Sequence, residues 1–291
     1  MTQAQTTLRH AVTCSGIGLH SGEMVQMRLH PAAENTGIRF RRTDLQGQNE
    51  IAADFRLVGA TRLGTTLMDG DVSIATVEHL MAALWGCGID NALIEVDGPE
   101  VPIMDGSSEP FVFLLECAGK REQQAARRVI QVLKPVEVSE NGATARIAPG
   151  EGFSIGMEIR FPHAAIAEQK ITYEIDGACF KKNLARARTF GFAEEVEQMR
   201  AAGLARGGSL ENAIVIGPDK VLNAEGLRYT DEFVRHKVLD AVGDLFLAGA
   251  HIQGSVEGFR SGHGLNNKLL RALMADNTAW RVSGEKVPEV A

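Results

Sequence analysis

Apolar and polar positions alternate with a period of two over much of residues 10–60, interrupted by glycine-bearing turns. VQMRLHPA (25–32) and GIRFRR (37–42) therefore read as half-buried strands, and HSG (20–22) as a turn. DVSIATVEHLMAALWGCGIDNALIEVDG (71–98) predicts strand, helix, strand. Leu80, Ala83 and Leu84 share one helical face, and Gly86 and Gly88 stop the helix. Thr76 is its expected N-cap, with Glu78 in the first turn, where a carboxylate is favoured. SSEPFVFLLECAG (107–119) predicts a second helix starting at Ser107 or Ser108. KREQQAARR (120–128) has almost no large apolar residue and reads as a linker or a frayed helix end. VIQVLKPVEV, ATARIAP and FSIGMEIRF then read as strands, AEEVEQMRAAGL (193–204) as a helix and AIVIG (213–217) as a short strand. FVRHKVLDAVGDLFLAG (233–249) reads as a helix, HIQGSVEGF (251–259) as a strand and LNNKLLRALM (265–274) as a last helix. Strands followed by helices occur twice. The expected fold class is α+β, in two units of residues 1–124 and 125–291, each packing helices on a mostly antiparallel sheet.

Composition narrows the function. The chain has 291 residues, 44% hydrophobic and 23% charged, which is ordinary for a folded protein. A net charge of -7 argues against a nucleic-acid partner but leaves room for a local basic pocket. Cys14, Cys87, Cys117 and Cys179 form no CxxC pair, so neither a cysteine zinc knuckle nor a disulfide scaffold is expected. MTQAQTTLRHAVTC has no apolar core of signal-peptide length, and no apolar run approaches the roughly 20 residues of a membrane span. The expectation is a soluble cytoplasmic protein.

Four stretches carry candidate chemistry. In FVRHKVLDAVGD (233–244), His236, Asp240 and Asp244 recur every four residues. Positions four apart on a helix differ by only about 40°, so His236 and Asp240 can face one metal ion. The same spacing also suits a surface His–Asp pair. In TVEH (76–79), His79 can supply a third ligand and Glu78 a base for water, or the segment is an ordinary acidic first turn. In FRSGHGLNNK (259–268), His263 lies between two glycines that expose its ring. It is either a general acid for a leaving amine or an incidental turn residue. In NLARARTFGF (183–192), Thr189 can donate to a developing oxyanion or be a plain strand residue. Together the four stretches contain every part of a mononuclear zinc hydrolase.

These stretches resemble the UDP-3-O-acyl-N-acetylglucosamine deacetylases, zinc amidases of lipid A biosynthesis in Gram-negative bacteria. The resemblance rests on SGIGLHSG (15–22), TVEHLMAALWGCGIDN (76–91), MDGSSEPF (104–111), ARARTFGF (185–192), FVRHKVLDAVGDLF (233–246) and SGHGLNNKLL (261–270), and covers the chain to about residue 276. It implies two similar two-layer α/β sandwich domains, with the helices packed between the two sheets and the active site at their junction. It implies that His79, His236 and Asp240 bind one Zn2+ per chain, with Fe2+ as the alternative metal in vivo. By the same resemblance Glu78 is the base, His263 the acid, Thr189 the oxyanion donor, and Asp244 the residue that orients His263. The implied reaction hydrolyses the N-acetyl group of UDP-3-O-(3-hydroxyacyl)-N-acetylglucosamine, an early committed step of the pathway.

The resemblance extends to the substrate. Lys237 matches a substrate-contacting lysine, and Arg260 stands where relatives often carry lysine, with its charge kept but its geometry changed. His20 is implied to face the diphosphate and Phe161 the uracil. An insertion at about 192–216 is implied to form an apolar passage for the acyl chain, with Phe192, Val196, Leu204, Leu210 and Val215 as its candidate lining or as ordinary core. The UDP-linked acylated glucosamine is then the partner, with transient contact to the inner-membrane surface. A monomer suffices. The resemblance raises regulation by proteolysis through the C-terminal tail, and GEKVPEVA (284–291) does not decide it. A non-catalytic binding module of this fold would be expected to lack Glu78 or His263, and both are present.

Overall fold

The alternation along residues 10–60 becomes the first of two main sheets in the computed structural model, which describes residues 3–47 and 49–283. The tail 284–291 lies outside the described residues. Five strands follow in the order Val12–Ile17, Met24–Pro31, Ala92–Val96, Ile38–Arg42 and Glu50–Ala52. Neighbours are antiparallel except Ile38–Arg42 beside Ala92–Val96, which run parallel. The period of two puts Met27, Leu29, Phe40, Ile94 and Val96 on the buried face. On the other face Arg39, Arg41, Glu50, Glu95 and His30 pair across the strands.

The second sheet has seven strands. Val136–Glu140, Ala143–Ala148, His251–Phe259, Val129–Val132 and Trp280–Ser283 form one path, and Phe153–Arg160 joins His251–Phe259 to Glu168–Glu174. His251–Phe259 runs parallel to Val129–Val132 and Phe153–Arg160, and the other pairings are antiparallel. Its inner face buries Ile147, Ile155, Met157 and Val256.

The helices are α1 (Glu78–Cys87), α2 (Glu109–Ala118), α3 (Gly177–Asn183), α4 (Ala193–Ala201), α5 (Glu232–Phe246) and α6 (His263–Ala275). Nine of ten residues of α1 and thirteen of fifteen of α5 are buried. A helix buried on every side lies between layers, and Leu80, Leu84, Phe233, Leu239 and Leu245 share one core with the inner faces of both sheets. This is the α+β architecture expected. α1 and α5 cross backbone to backbone. A Cβ on Gly243 would collide with the carbonyl oxygen of Glu78, so only glycine permits the crossing.

Two local expectations are corrected. Lys120–Ala126 is a strand, not a linker, and pairs antiparallel with Ala4–Leu8. Its own side chains are exposed or half-buried, although those of Ala4–Leu8 are mostly buried, and this removes the apolar signal from 120–126. It also spans the expected division at 124/125. Thr76 does not cap α1. Its backbone is left-handed (φ +57°), and its hydroxyl donates to Glu100 at 2.8 Å, leaving Val77 as the cap position. α2 starts at Glu109 with Ser108 in the cap position, as the sequence placed it, and the Ser108 hydroxyl donates to the His79 carbonyl at 2.8 Å. The edge strand Glu168–Glu174 has no fully buried residue, and only Ile171 and Tyr173 carry its apolar alternation, too short a pattern to announce it.

The α1–α5 contact makes a stability prediction. Gly243→Ala should cost about 1–3 kcal/mol, the usual penalty for overpacking, read as a lower urea midpoint with an unchanged denaturant slope. An unchanged midpoint would show that the helices can separate freely.

Candidate functional site

α1 and α5 bring His79, His236 and Asp240 together, all three buried, with donor atoms within 4.8 Å of one another. Among the described residues this is the one cluster of His, Cys, Asp and Glu able to hold a metal ion. Asp240 Oδ1 stands 3.3 Å from His236 Nε2 and 3.5 Å from His79 Nε2. Donors about 2.0–2.1 Å from one tetrahedral ion are themselves about 3.3–3.4 Å apart. Asp240 Oδ1 is buried with no hydrogen-bond partner among the described residues, which is costly unless a cation faces it. The tautomer of His236 agrees. Its Nδ1 lies 3.0 Å from the Ala187 carbonyl, which can only accept, so Nδ1 carries the proton and Nε2 offers its lone pair. Burial pushes the His236 pKa down to about 3, keeping the ring neutral. Burial opposes ionisation of Asp240, but His236, Lys237 and His263 hold its carboxyl well below the usual range. Two imidazoles and a carboxylate form a donor set that divalent zinc or iron accepts.

The acid–base candidates adjoin this cluster. Glu78 is buried in the first turn of α1. Its Oε2 accepts the Thr65 N–H at 2.9 Å, and its Oε1 lies 3.9 Å from His263 Nε2. Burial raises the Glu78 pKa against the opposing pull of His263 and His79. His263 is the first residue of α6, after Gly262 in extended conformation. Its Nδ1 donates to Asp244 Oδ2 at 2.9 Å, which leaves Nε2 facing Glu78 and, at 3.8 Å, Asp240 Oδ2. Burial disfavours the charged ring, yet Asp244, Glu78 and Asp240 outweigh it and raise the His263 pKa to about 9. The ring is therefore protonated at neutral pH. Asp244 is held by Asn266 Nδ2 on the same oxygen at 2.9 Å and by the Thr65 hydroxyl on the other at 2.6 Å. Asn266 and Ala187 lie within the motifs SGHGLNNKLL and ARARTFGF, which gave neither a role, and Thr65 lies outside every motif, because each reaches the site only through tertiary contact.

Lys237 joins the cluster to an apolar cavity. Its Nζ donates to Asp240 Oδ2 at 2.6 Å and sits 5.5 Å over the Phe190 ring. Burial works against its charge, but Asp240 outweighs burial and raises the Lys237 pKa. Phe190 lines a cavity of about 540 Å³, and its ring centroid is 6.3 Å from that of His236. His20, Phe161, Thr189, Phe192, Val196, Leu210 and Val215 line the same cavity. Leu19, Leu63 and Met199 also line it, though the sequence did not single them out. Phe161 packs against Phe190 and Phe192 at centroid distances of 5.8 and 6.0 Å. Leu204 is not in the lining; its N–H closes the end of α4 onto Met199. The N–H groups of His20 and Ser21 donate to the buried Glu100 carboxylate, each at 3.0 Å, and His20 Nδ1 accepts the Ala205 N–H at 3.3 Å. Thr189 is fixed by backbone bonds to Gly106 and Ile214, and its neighbour Arg188 is buried against Glu232 at 2.9 Å. Arg260 is exposed, away from the cavity lining, with left-handed backbone (φ +54°).

Residues 5–275 match the family model described as LpxC, UDP-3-O-acyl N-acetylglycosamine deacetylase. The chain is 53% identical to the UDP-3-O-acyl-N-acetylglucosamine deacetylase of Neisseria meningitidis serogroup C over 281 residues, 95% of this chain and 92% of that one. It is 52% identical, over the same shares, to the protein of that name from Neisseria gonorrhoeae. It is 52% identical to that of Legionella pneumophila strain Corby over 278 residues, 95% of this chain and 91% of the other.

The raised His263 pKa makes a prediction for the metal-free protein. The folded-state value of about 9 exceeds the ordinary value of about 6.5, so protonation favours the fold. That contribution is whole below about pH 6.5 and is lost as pH rises through about 9. The stability lost in His263→Gln should therefore be greatest near pH 6 and shrink by pH 10, as measured by urea unfolding of metal-free samples. A difference independent of pH would contradict the carboxylate cage.

Proposed function

The chain belongs to the family of UDP-3-O-acyl-N-acetylglucosamine deacetylases, and on that premise we propose how its residues perform the reaction. The enzyme removes the N-acetyl group of UDP-3-O-(3-hydroxyacyl)-N-acetylglucosamine in lipid A biosynthesis, giving acetate and the free amine. The observation that carries the mechanistic reading is the meeting of a buried His–His–Asp cluster with an acid and a base 3.9 Å apart, next to an apolar cavity.

His79, His236 and Asp240 would hold one zinc ion, with ferrous iron as the alternative. When bound, the ion supplies Lewis acidity to the amide carbonyl and to the attacking water. Glu78 removes a proton from that water, a role suited to a carboxylate whose pKa burial has raised. The Thr189 hydroxyl donates to the developing oxyanion. His263 gives its Nε2 proton to the departing glucosamine nitrogen, while Asp244 keeps Nδ1–H engaged and Nε2 aimed.

The UDP group lies toward Lys237, His20 and Arg260, with the uracil against Phe161. The acyl chain enters the cavity along Phe192, Val196, Leu210 and Val215, with Leu204 behind them. Residues 1–124 contribute Glu78 and His79, and 125–291 contribute the remaining ligand, acid and acyl-passage residues. The four cysteines are unpaired, which suits the reducing cytoplasm. Among the described residues no helix is long and apolar enough to cross a membrane. The enzyme works as a monomer, meeting the inner-membrane surface transiently through the exposed Leu63, Leu210 and Leu222 at the cavity.

Two measurements test this reading. Purified protein should release acetate from the acylated UDP-sugar, lose turnover on chelation and regain it with one equivalent of zinc. Turnover that survives complete metal removal would sink the metal assignment. Glu78→Gln should lower kcat by about 10²–10⁴-fold with metal content unchanged, and near-normal turnover in that variant would remove Glu78 as the base.

A further inference from the structure

Thr65 touches both sides of the acid–base pair. We propose that it is a positioning residue for the deacetylation, its backbone N–H fixing one oxygen of Glu78 and its hydroxyl fixing one oxygen of Asp244. This rests on the reading above, in which Glu78 is the base and Asp244 aims the acid His263.

The geometry divides the labour of two carboxylates. Glu78 Oε2 is taken by the Thr65 N–H at 2.9 Å, so Oε1 faces His263. Asp244 Oδ1 is taken by the Thr65 hydroxyl at 2.6 Å, so Oδ2 is left for His263 Nδ1 and Asn266 Nδ2, both at 2.9 Å. The carboxylates can only accept, so Thr65 donates both bonds. Carboxylate torsions are broad and nearly two-fold. Without the hydroxyl, Asp244 would be held at one oxygen only and could present either oxygen to His263.

The surrounding loop is built for close approach. Thr65 is fully buried at the entrance to the strand Thr66–Asp69. A Cβ on the preceding Gly64 would stand 2.9 Å from Glu78 Oε1, a distance that real side chains do not adopt. Leu63, one residue earlier, has left-handed backbone (φ +61°), a conformation that persists only where the surroundings impose it. The Thr65–Asp244 bond joins residues 179 apart in sequence, tying the loop to α5. Thr65 bonds the acid–base groups rather than the substrate, so its loss should appear in kcat and not in KM.

The test compares Thr65→Val, which keeps the N–H and the shape but loses the hydroxyl, with Thr65→Ser, which keeps the hydroxyl. Melting temperature and zinc per chain are measured on each variant before kinetics. Thr65→Val should lower kcat about 10–100-fold, the usual cost of losing a supporting partner at such a site. KM should stay within about twofold and zinc content should not change, while Thr65→Ser should recover kcat to within about threefold. The proposal is overturned if the valine variant keeps kcat within twofold of wild type, if serine is as impaired as valine, or if the loss falls in KM or in zinc content. Should the valine variant not fold, Thr65→Ala gives the same comparison with serine, and failure of both to fold would assign the residue a purely structural role. Wild-type protein with zinc bound that releases no acetate would overturn the functional reading itself, and the proposal with it.

Discussion

The site depends on two helices meeting at backbone distance. α5 carries His236, Asp240 and Asp244 four residues apart, so the three form one stripe along the helix. α1 contributes two adjacent residues, Glu78 and His79, about 100° apart around its axis. Adjacent residues can serve different partners only if the start of α1 lies directly on that stripe. Gly243 allows it, one residue before Asp244. His79 then turns to Asp240 while Glu78 turns to His263 on α6. A bulkier residue at 243 would not remove any functional group; it would move Glu78 and His79 together away from the α5 stripe.

That geometry concentrates charge in a dry place. Glu78, Asp240 and Asp244 together carry −3 when ionised, and Lys237 and protonated His263 carry +2, leaving −1. Burying unbalanced charge costs several kcal/mol per ion, and a divalent cation would change the sum to +1. The hydrogen bonds identify where that cation belongs. Both oxygens of Asp244 and Oδ2 of Asp240 have donors, while Asp240 Oδ1 has none among the described residues and faces two imidazole nitrogens.

The sequence was most legible where chemistry and periodicity coincide. The i, i+4 spacing of His236 and Asp240 is a local property of a helix, and it survives folding unchanged. The glycines around His263 suggested an exposed ring in a turn, but the residue opens α6 and its ring is largely buried against Asp244. Partners that come from elsewhere in the chain left no trace. Thr65, Asn266 and the Ala187 carbonyl look like any threonine, asparagine or backbone group until the chain folds. The strand Lys120–Ala126 was missed for a different reason. Its pairing with Ala4–Leu8 is made by backbone bonds while its side chains stay largely in water, so β-structure formed without the hydrophobic alternation that announces it. At Thr76 a sound local rule lost to a tertiary one, since Glu100 uses the hydroxyl that would have capped the helix. The same carboxylate also gathers the His20 turn, tying the start of α1 to the cavity wall.

The 3.9 Å approach of Glu78 to His263 also bears on how pH dependence should be read. Catalysis as proposed needs Glu78 ionised and His263 protonated, which is the pairing that their mutual attraction favours. Burial alone would neutralise both groups, raising the pKa of the glutamate and lowering that of the histidine. Each group therefore keeps its working charge partly because the other is there. Two sites coupled this closely lose protons in steps that belong to the pair, so neither limb of a pH–rate profile reports one residue. It follows that neutralising Glu78 lowers the His263 pKa as well as removing the base, so that such a variant also loses protonated His263 at a lower pH. Asp244, hydrogen-bonded to the imidazole at Nδ1, opposes that shift, since its charge also raises the His263 pKa.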